Sequence, residues 1–269
     1  MVGYNNRRWT KILVLGLMLT FFYAPIVVMM FFSFNDARSL SSWSGFSLRW
    51  YESLFSNREI LSSVWVSVTI ALMATVISTI VGTLTAIGLS KSRRIIRDIT
   101  LTLNEFPILN PEIVTAVGLM LLFIFSGVNK GYMTMLLAHI MFCIPYVILA
   151  VMPRLRSLDP NITEAAMDLG ATPTQALTKV ILPQITPSIM SAALIAFTMS
   201  FDDFVISYFV SGNGVNNISM QVYAMSKRIN PTINALSTIL VVVVTVVLII
   251  INIIPIVKEK GRKNEKVFD

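Results

Sequence analysis

Charge is scarce in this chain of 269 residues: only 13% of them are Asp, Glu, Lys or Arg, against about 25% in an ordinary soluble domain. With 55% hydrophobic residues and a mean hydropathy of +0.75, the shortage excludes a disordered chain, a disulfide-stapled secreted module and a soluble nucleic-acid binder. It points instead to an all-α polytopic membrane protein. The lone cysteine, Cys143, excludes an internal disulfide and a cysteine metal site. The lone histidine, His139, leaves little room for His-dependent catalysis or metal binding. No G-x4-G-K-[ST], HExxH, paired CxxC or GxSxG occurs, so the usual phosphate cradle, zinc helix and nucleophile elbow are missing. No internal repeat is visible, so any pseudo-symmetry requires a second chain.

Long apolar runs are what the chain has. A spanning helix needs about 20 mostly apolar residues. The pattern predicts six spans, at about 12–35, 61–90, 99–127, 131–153, 184–211 and 230–257, in one transmembrane domain covering 1–269. The third has a Pro-broken start, and the fifth carries Asp202 and Asp203 inside its apolar run. The first span is too long for a signal-peptide core and no small-x-small site ends it, so it reads as a retained helix.

The net charge is +7, and basic residues in a membrane chain first report orientation. With the N-terminus inside, the inner segments carry Arg7, Arg8 and Lys11; Lys91, Arg93, Arg94 and Arg97; Arg154, Arg156 and Lys179; and five more within 258–266. The outer segments carry only Arg38, Arg49, Arg58, Lys130, Lys227 and Arg228. Both termini are therefore expected in the cytoplasm. The basic tail reads as an orientation and lipid-headgroup signal. The outer loop 36–59 holds Trp43, Trp50 and Tyr51, aromatics that suit the bilayer interface.

The inner loop 154–183 is the informative one. Asp159 followed by Pro160 is placed to start a helix, and Ile162, Ala165, Ala166 and Leu169 form an apolar stripe at helical spacing. Gly170 supplies a left-handed stop, and Thr172-Pro173 starts a second helix over 173–180 that Leu182-Pro183 ends. Helix–turn–helix grammar of this kind also suits DNA, but membrane spans at both ends and an acidic first helix argue against it. The stripe either packs on the chain's own helix ends or docks into a cytoplasmic partner.

Glu164-Ala165-Ala166, Gly170 and Val180-Ile181-Leu182-Pro183 resemble the EAA loop, E-A-A-x3-G-x9-I-x-L-P, of binding-protein-dependent ABC importer permeases (the MetI-like family). Val180 stands where Ile is usual. The segments NPEIV (110–114), HIMFCIPYV (139–147) and SFDDFVISYFVSG (200–212) are similar to those of the spermidine/putrescine branch. The resemblance implies a six-helix type I ABC importer permease fold in the bacterial inner membrane. Glu164, Ala165, Ala166, Gly170, Leu182 and Pro183 would couple it to an ATPase. Implied partners are a homologous second permease, two copies of the ATPase, an extracytoplasmic polyamine-binding protein and membrane lipid, with no nucleic acid. This chain would bind no cofactor and would not be an enzyme, since ATP and Mg would sit on the ATPase.

Acids within spans are costly, on the order of 2.5–3.5 kcal/mol at the bilayer centre, and therefore mark candidate sites. Glu105, Glu112, Asp202 and Asp203 qualify, and no Lys or Arg lies inside an expected span. The sign suits a cationic solute, with Tyr208, Phe201, Phe204 and Phe209 offering aromatic faces. Each acid also has a structural reading: Asn110-Pro111-Glu112 resembles a capped helix start, and Glu105 falls near the cytoplasmic end. Asp202 and Asp203 should point about 100° apart on a helix, roughly 21 Å beyond Ser188, toward the outer mouth. His139 reads as an interhelix hydrogen bond. Rival readings are an importer of another cation such as ferric iron or thiamine, an ion-coupled carrier, or an intramembrane enzyme using His139. The last fails because nothing nearby in sequence orients His139 toward a nucleophile.

Overall fold

Apolar runs of this length can satisfy their backbone in a bilayer only as helices or a closed barrel, and the chain takes the helical route. The computed structural model describes residues 3–38, 42–227, 230–246 and 249. Among these the one β feature is an isolated bridge between Asn35 and Phe46. The chain divides into two compact units, Met1–Arg58 with Ala224–Asp269, and Glu59–Tyr223.

In the first unit, α1 (Gly3–Phe32) presents an apolar surface all round, with Leu13, Leu17, Phe21 and Phe22 each more than half exposed. Such a helix is stable only with hydrocarbon or other helices against it. The loop that follows folds back onto its end. Trp50, in α2 (Arg49–Ser56), donates its indole N–H to the Asn35 carbonyl at 2.8 Å. Trp43 stacks on Phe31 with centroids 4.5 Å apart. Tyr51 shares a hydrogen bond with Ser33 at 2.7 Å. Trp50 is therefore buried and fastens the loop.

The second unit begins with α3 (Arg58–Ser90), then α4 (Arg94–Leu109), α5 (Glu112–Phe125) and the central α6 (Tyr132–Arg156). The core lies along α6, where Cys143, Val147 and Val151 meet Ile185, Ala192 and Ala196 of α9 (Leu182–Phe201). Cys143 is buried, with its Sγ 3.5 Å from the Ala196 carbonyl, and acts as a small packing residue. Small residues set the approach here: a Cβ on Gly82 would stand 2.7 Å from the Val147 Cβ.

The third expected span is not one straight helix. Pro111 has no N–H, and a residue before proline is pushed out of the helical region; Asn110 accordingly sits at φ −77°, ψ 145°. The α4 and α5 axes bend by 102° there. Asn110 ends α4 rather than capping α5, while Glu112 does occupy the first turn of α5.

Between α6 and α9 stand α7 (Ile162–Asp168), α8 (Pro173–Gln175) and a π-helical turn Ala176–Ile181 that runs into α9. Beyond α9 come α10 (Val205–Val210), α11 (Ile218–Ser226) and, in the first unit, α12 (Thr232–Val246). Four of the described helices are long and apolar enough to cross a membrane, or five with the α4–α5 pair taken as one. The far part of the sixth expected span, and the tail at 258–266, lie outside the described residues.

Candidate substrate pathway and coupling hairpin

The fifth span breaks where the two aspartates occur. Helix α9 stops at Phe201, Asp202 takes up φ −96°, ψ 0°, and α10 starts three residues later. The expectation of two aspartates 100° apart on one helix is therefore replaced by two divergent positions at a helix break. Asp203 turns inward. Its oxygens accept the backbone N–H of Ile206 at 3.2 Å and of Ser207 at 2.8 Å, as an N-terminal cap would.

Around Asp203 the fold closes a buried polar knot. The Ser207 hydroxyl donates to Asp203 Oδ2 at 2.7 Å, and Asn217 donates to both the Asp203 carbonyl at 2.7 Å and Ser207 Oγ at 2.8 Å. His139 reaches in from α6, with Nε2 at 3.0 Å from Ser207 Oγ and 3.4 Å from Asp203 Oδ2. Since the Ser207 proton is committed to the carboxylate, Nε2 is the donor on this side. Nδ1 lies 2.7 Å from Ser200 Oγ and, in a neutral ring, accepts from it. His139 is thus the interhelix hydrogen-bonding residue expected, with three partners that are all distant in sequence. The histidine is 1% exposed and the two serines no more than 2%, so no substrate reaches the group and the arrangement is a structural tie.

Asp202 turns the other way. Its side chain is exposed, while its backbone carbonyl accepts from the Ser219 hydroxyl at 3.0 Å. Glu112, exposed at the start of α5, lies within electrostatic reach of both Asp203 and Asp202. The breaks in α4–α5 and α9–α10 therefore bring three carboxylates to one junction. Beside it opens a cavity of about 210 Å³ lined by Glu112, Asn110, Thr115, Phe142, Tyr146 and Met199, among others, with no Lys or Arg in its wall. Phe142 and Tyr146 meet edge to face at 6.0 Å.

Of the expected acids only Glu112 is in the cavity wall; Asp202 and Asp203 stand outside it, and two further expected residues lie outside the junction as well. Glu105 is exposed on α4 and does not line the cavity. Tyr208 is 54% exposed and belongs to an aromatic group with Phe204 and Tyr223, at 5.5 and 6.5 Å. Conversely, Asn110, Phe142 and Tyr146 line the cavity without having been singled out. The signal was present in part: His139, Phe142 and Tyr146 follow one another at three- and four-residue steps and share a helix face.

The segment between α6 and α9 folds as a hairpin. Asp159 does not cap the first helix; its Oδ1 accepts the Asn161 N–H at 2.9 Å in a turn, and α7 starts at Ile162. The helix stops in a Schellman arrangement, with Gly170 N–H to the Met167 carbonyl at 2.8 Å and Ala171 N–H to the Ala166 carbonyl at 3.1 Å. Gly170 has φ +88°, which a side chain would strain by about 1–2 kcal/mol. Thr172 caps α8 reciprocally with Gln175, at 3.3 and 2.9 Å.

Leu182-Pro183 does not end the second helix, contrary to expectation. Pro183 cannot donate to Lys179, and the chain responds by widening: Leu182 N–H bonds the Leu177 carbonyl, five residues back. The expected apolar stripe divides. Ile162 and Ala166 are half-buried, whereas Glu164 and Ala165 are exposed and Leu169, at the tip, is 90% exposed.

Broken apolar helices beside a cavity with a carboxylate in its wall, joined to an exposed hairpin, are the build of a helical membrane permease. Residues 78–256 match the family of binding-protein-dependent transport system inner membrane components, and the chain belongs to that family. It is 40% identical, over 82% of its length and 87% of the relative's, to the spermidine/putrescine transport system permease protein PotC of Haemophilus influenzae. It is 39% identical to the putrescine transport system permease protein PotI of Escherichia coli K12, over 86% of this chain and 85% of that one. A crystal structure of a bacterial ABC transporter involved in alginate import aligns over 96% of this chain and 98% of its own, with TM-score 0.69 at 16% identity. A second structure of an alginate transporter, bound to a periplasmic protein, aligns over 91% and 93% with TM-score 0.70 at 16% identity. At that identity the likeness concerns the fold alone.

Proposed function

We propose that the chain is a permease subunit of an ATP-driven importer of polyamines, forming half of the translocation pathway. The observation that carries the substrate is the junction of Glu112, Asp202 and Asp203 beside a cavity with no cationic side chain in its wall. A polyamine bears several ammonium groups on a thin apolar chain. Its charges suit Glu112 and Asp202, and its methylenes and ammoniums suit the faces of Phe142 and Tyr146. Asp203, satisfied by its own chain, serves as the strut that holds Asp202 outward. A cavity of about 210 Å³ suits a small cation. The relatives PotC and PotI, whose names specify spermidine and putrescine, support the same class. A permease for ferric iron or thiamine is the nearest rival.

In this reading six spans place both termini in the cytoplasm of a bacterium, and residues 154–183 face the ATPase. Leu169 enters its cleft as the apolar anchor, Glu164 meets a cationic or hydrogen-bonding group there, and Ala165 and Ala166 permit close approach. Gly170 fixes the tip, and the widened turn before Leu182 and Pro183 passes its displacement into α9. A homologous permease supplies the other half of the pathway, two ATPase copies hydrolyse ATP with Mg, and an extracytoplasmic binding protein delivers the polyamine.

The hairpin tests this assembly. Leu169→Asp and Glu164→Arg are each expected to weaken co-purification with the cognate ATPase by about tenfold or more, the scale of one buried leucine. Undiminished co-purification together with undiminished uptake would remove the hairpin from the coupling role.

A further inference from the structure

A second cavity, of about 380 Å³, lies at the root of the hairpin and shares no lining residue with the first. Its wall brings together Lys91 just past α3, Arg97 on α4 and Arg156 at the end of α6. Asp159 is the one carboxylate in that wall, and its Oδ1 is already engaged by the Asn161 N–H. Arg97 stands 3.4 Å from Asp98, whereas Lys91 and Arg156 form no ion pair among the described residues. Three cations around one concave space therefore carry an excess positive charge that an anion would relieve.

We propose that this cavity binds the phosphate of an anionic phospholipid. Half of the wall is apolar, through Leu155, Leu158, Ile162 and Ile181, which a bare inorganic anion would not use. On α4 the exposed Ile95, Ile96 and Ile99 lie on the side turned away from Arg97, a surface for bilayer hydrocarbon on the same turn of helix that supplies a cation to the cavity. Basic pockets between spanning helices at a membrane surface hold anionic head groups by this combination. Ile162 opens α7 and Ile181 closes the π-turn, so a lipid seated here would link both roots of the hairpin to α3 and α4. Its occupancy would thereby restrain the handle on which coupling depends. That consequence rests on the proposed function, whereas the binding itself does not.

The test uses the full chain purified in detergent with equal phosphatidylglycerol and phosphatidylcholine, with retained lipid read by native mass spectrometry. The unmodified chain should retain phosphatidylglycerol in preference. Lys91→Gln, Arg97→Gln and Arg156→Gln together should lower that retention by at least about tenfold, given the worth of each basic residue near a lipid surface. The charge-preserving set Lys91→Arg, Arg97→Lys and Arg156→Lys should keep it, which separates loss of charge from loss of fold. Arg93→Gln, Arg94→Gln and Lys179→Gln together remove the same charge from outside the cavity wall and should also keep it. Equal retention of the two lipids, equal loss in the control set, or displacement by millimolar inorganic phosphate would each overturn the assignment. The first means no site, the second a diffuse field and the third a soluble-anion site. None of these outcomes bears on polyamine transport.

Discussion

Asp203→Ala should unfold the protein far more readily than Asp202→Ala, although the two residues are adjacent and chemically identical. Removing the Asp203 carboxylate strands the N–H groups of Ile206 and Ser207, the Ser207 hydroxyl and the nearby His139 Nε2 in a buried setting. Each buried donor left without its acceptor costs about 1–3 kcal/mol, and several are stranded at once. In detergent this corresponds to a fall in midpoint on the order of 10 °C. Asp202 is exposed, and its alanine variant should stay within about 2 °C of the unmodified protein. Equal midpoints for the two variants would contradict the division of labour between strut and pathway residue.

The second large effect concerns substrate. Glu112→Gln with Asp202→Asn should raise the polyamine concentration that half-saturates uptake by about tenfold to a hundredfold, because hydrogen bonds to charged groups contribute about 1.5–3 kcal/mol. Glu105→Gln, which changes an exposed acid that does not belong to the Glu112–Asp202–Asp203 junction, should leave it within about twofold. A shift caused by Glu105 and not by the pair would move the pathway to the outer face of α4.

Much of this architecture is legible in the residues, and the failures share a cause. Apolar length locates the long helices α1, α3 and α6 among the described residues, because a bilayer offers the backbone no other partner. Thr172-Pro173 and Gly170 are read correctly since each states its own backbone requirement: a reciprocal cap and a positive φ. Asp159-Pro160 misleads because an Asp that caps a helix and an Asp that closes a turn use the same short-range bond. Leu182-Pro183 misleads because a proline can be absorbed by a wider turn as well as by a helix end. The acidic pair and its divergence are visible in the sequence, but which member turns inward is not. The choice between inward Asp203 and outward Asp202 is made by Ser207 and His139, whose positions relative to it depend on α6 packing on α9 and α10. Tyr146 escaped notice for the same reason, since its importance comes from the bend at Asn110-Pro111 that carries Glu112 toward it.

The decisive measurement is spermidine uptake into proteoliposomes holding this chain with its second permease, ATPase and binding protein, comparing enclosed ATP with an imposed proton or sodium gradient. The account predicts accumulation with ATP and Mg and none with a gradient alone. Uptake that follows the gradient without nucleotide would contradict it, leaving the acids to an ion-coupled carrier and the hairpin without a motor.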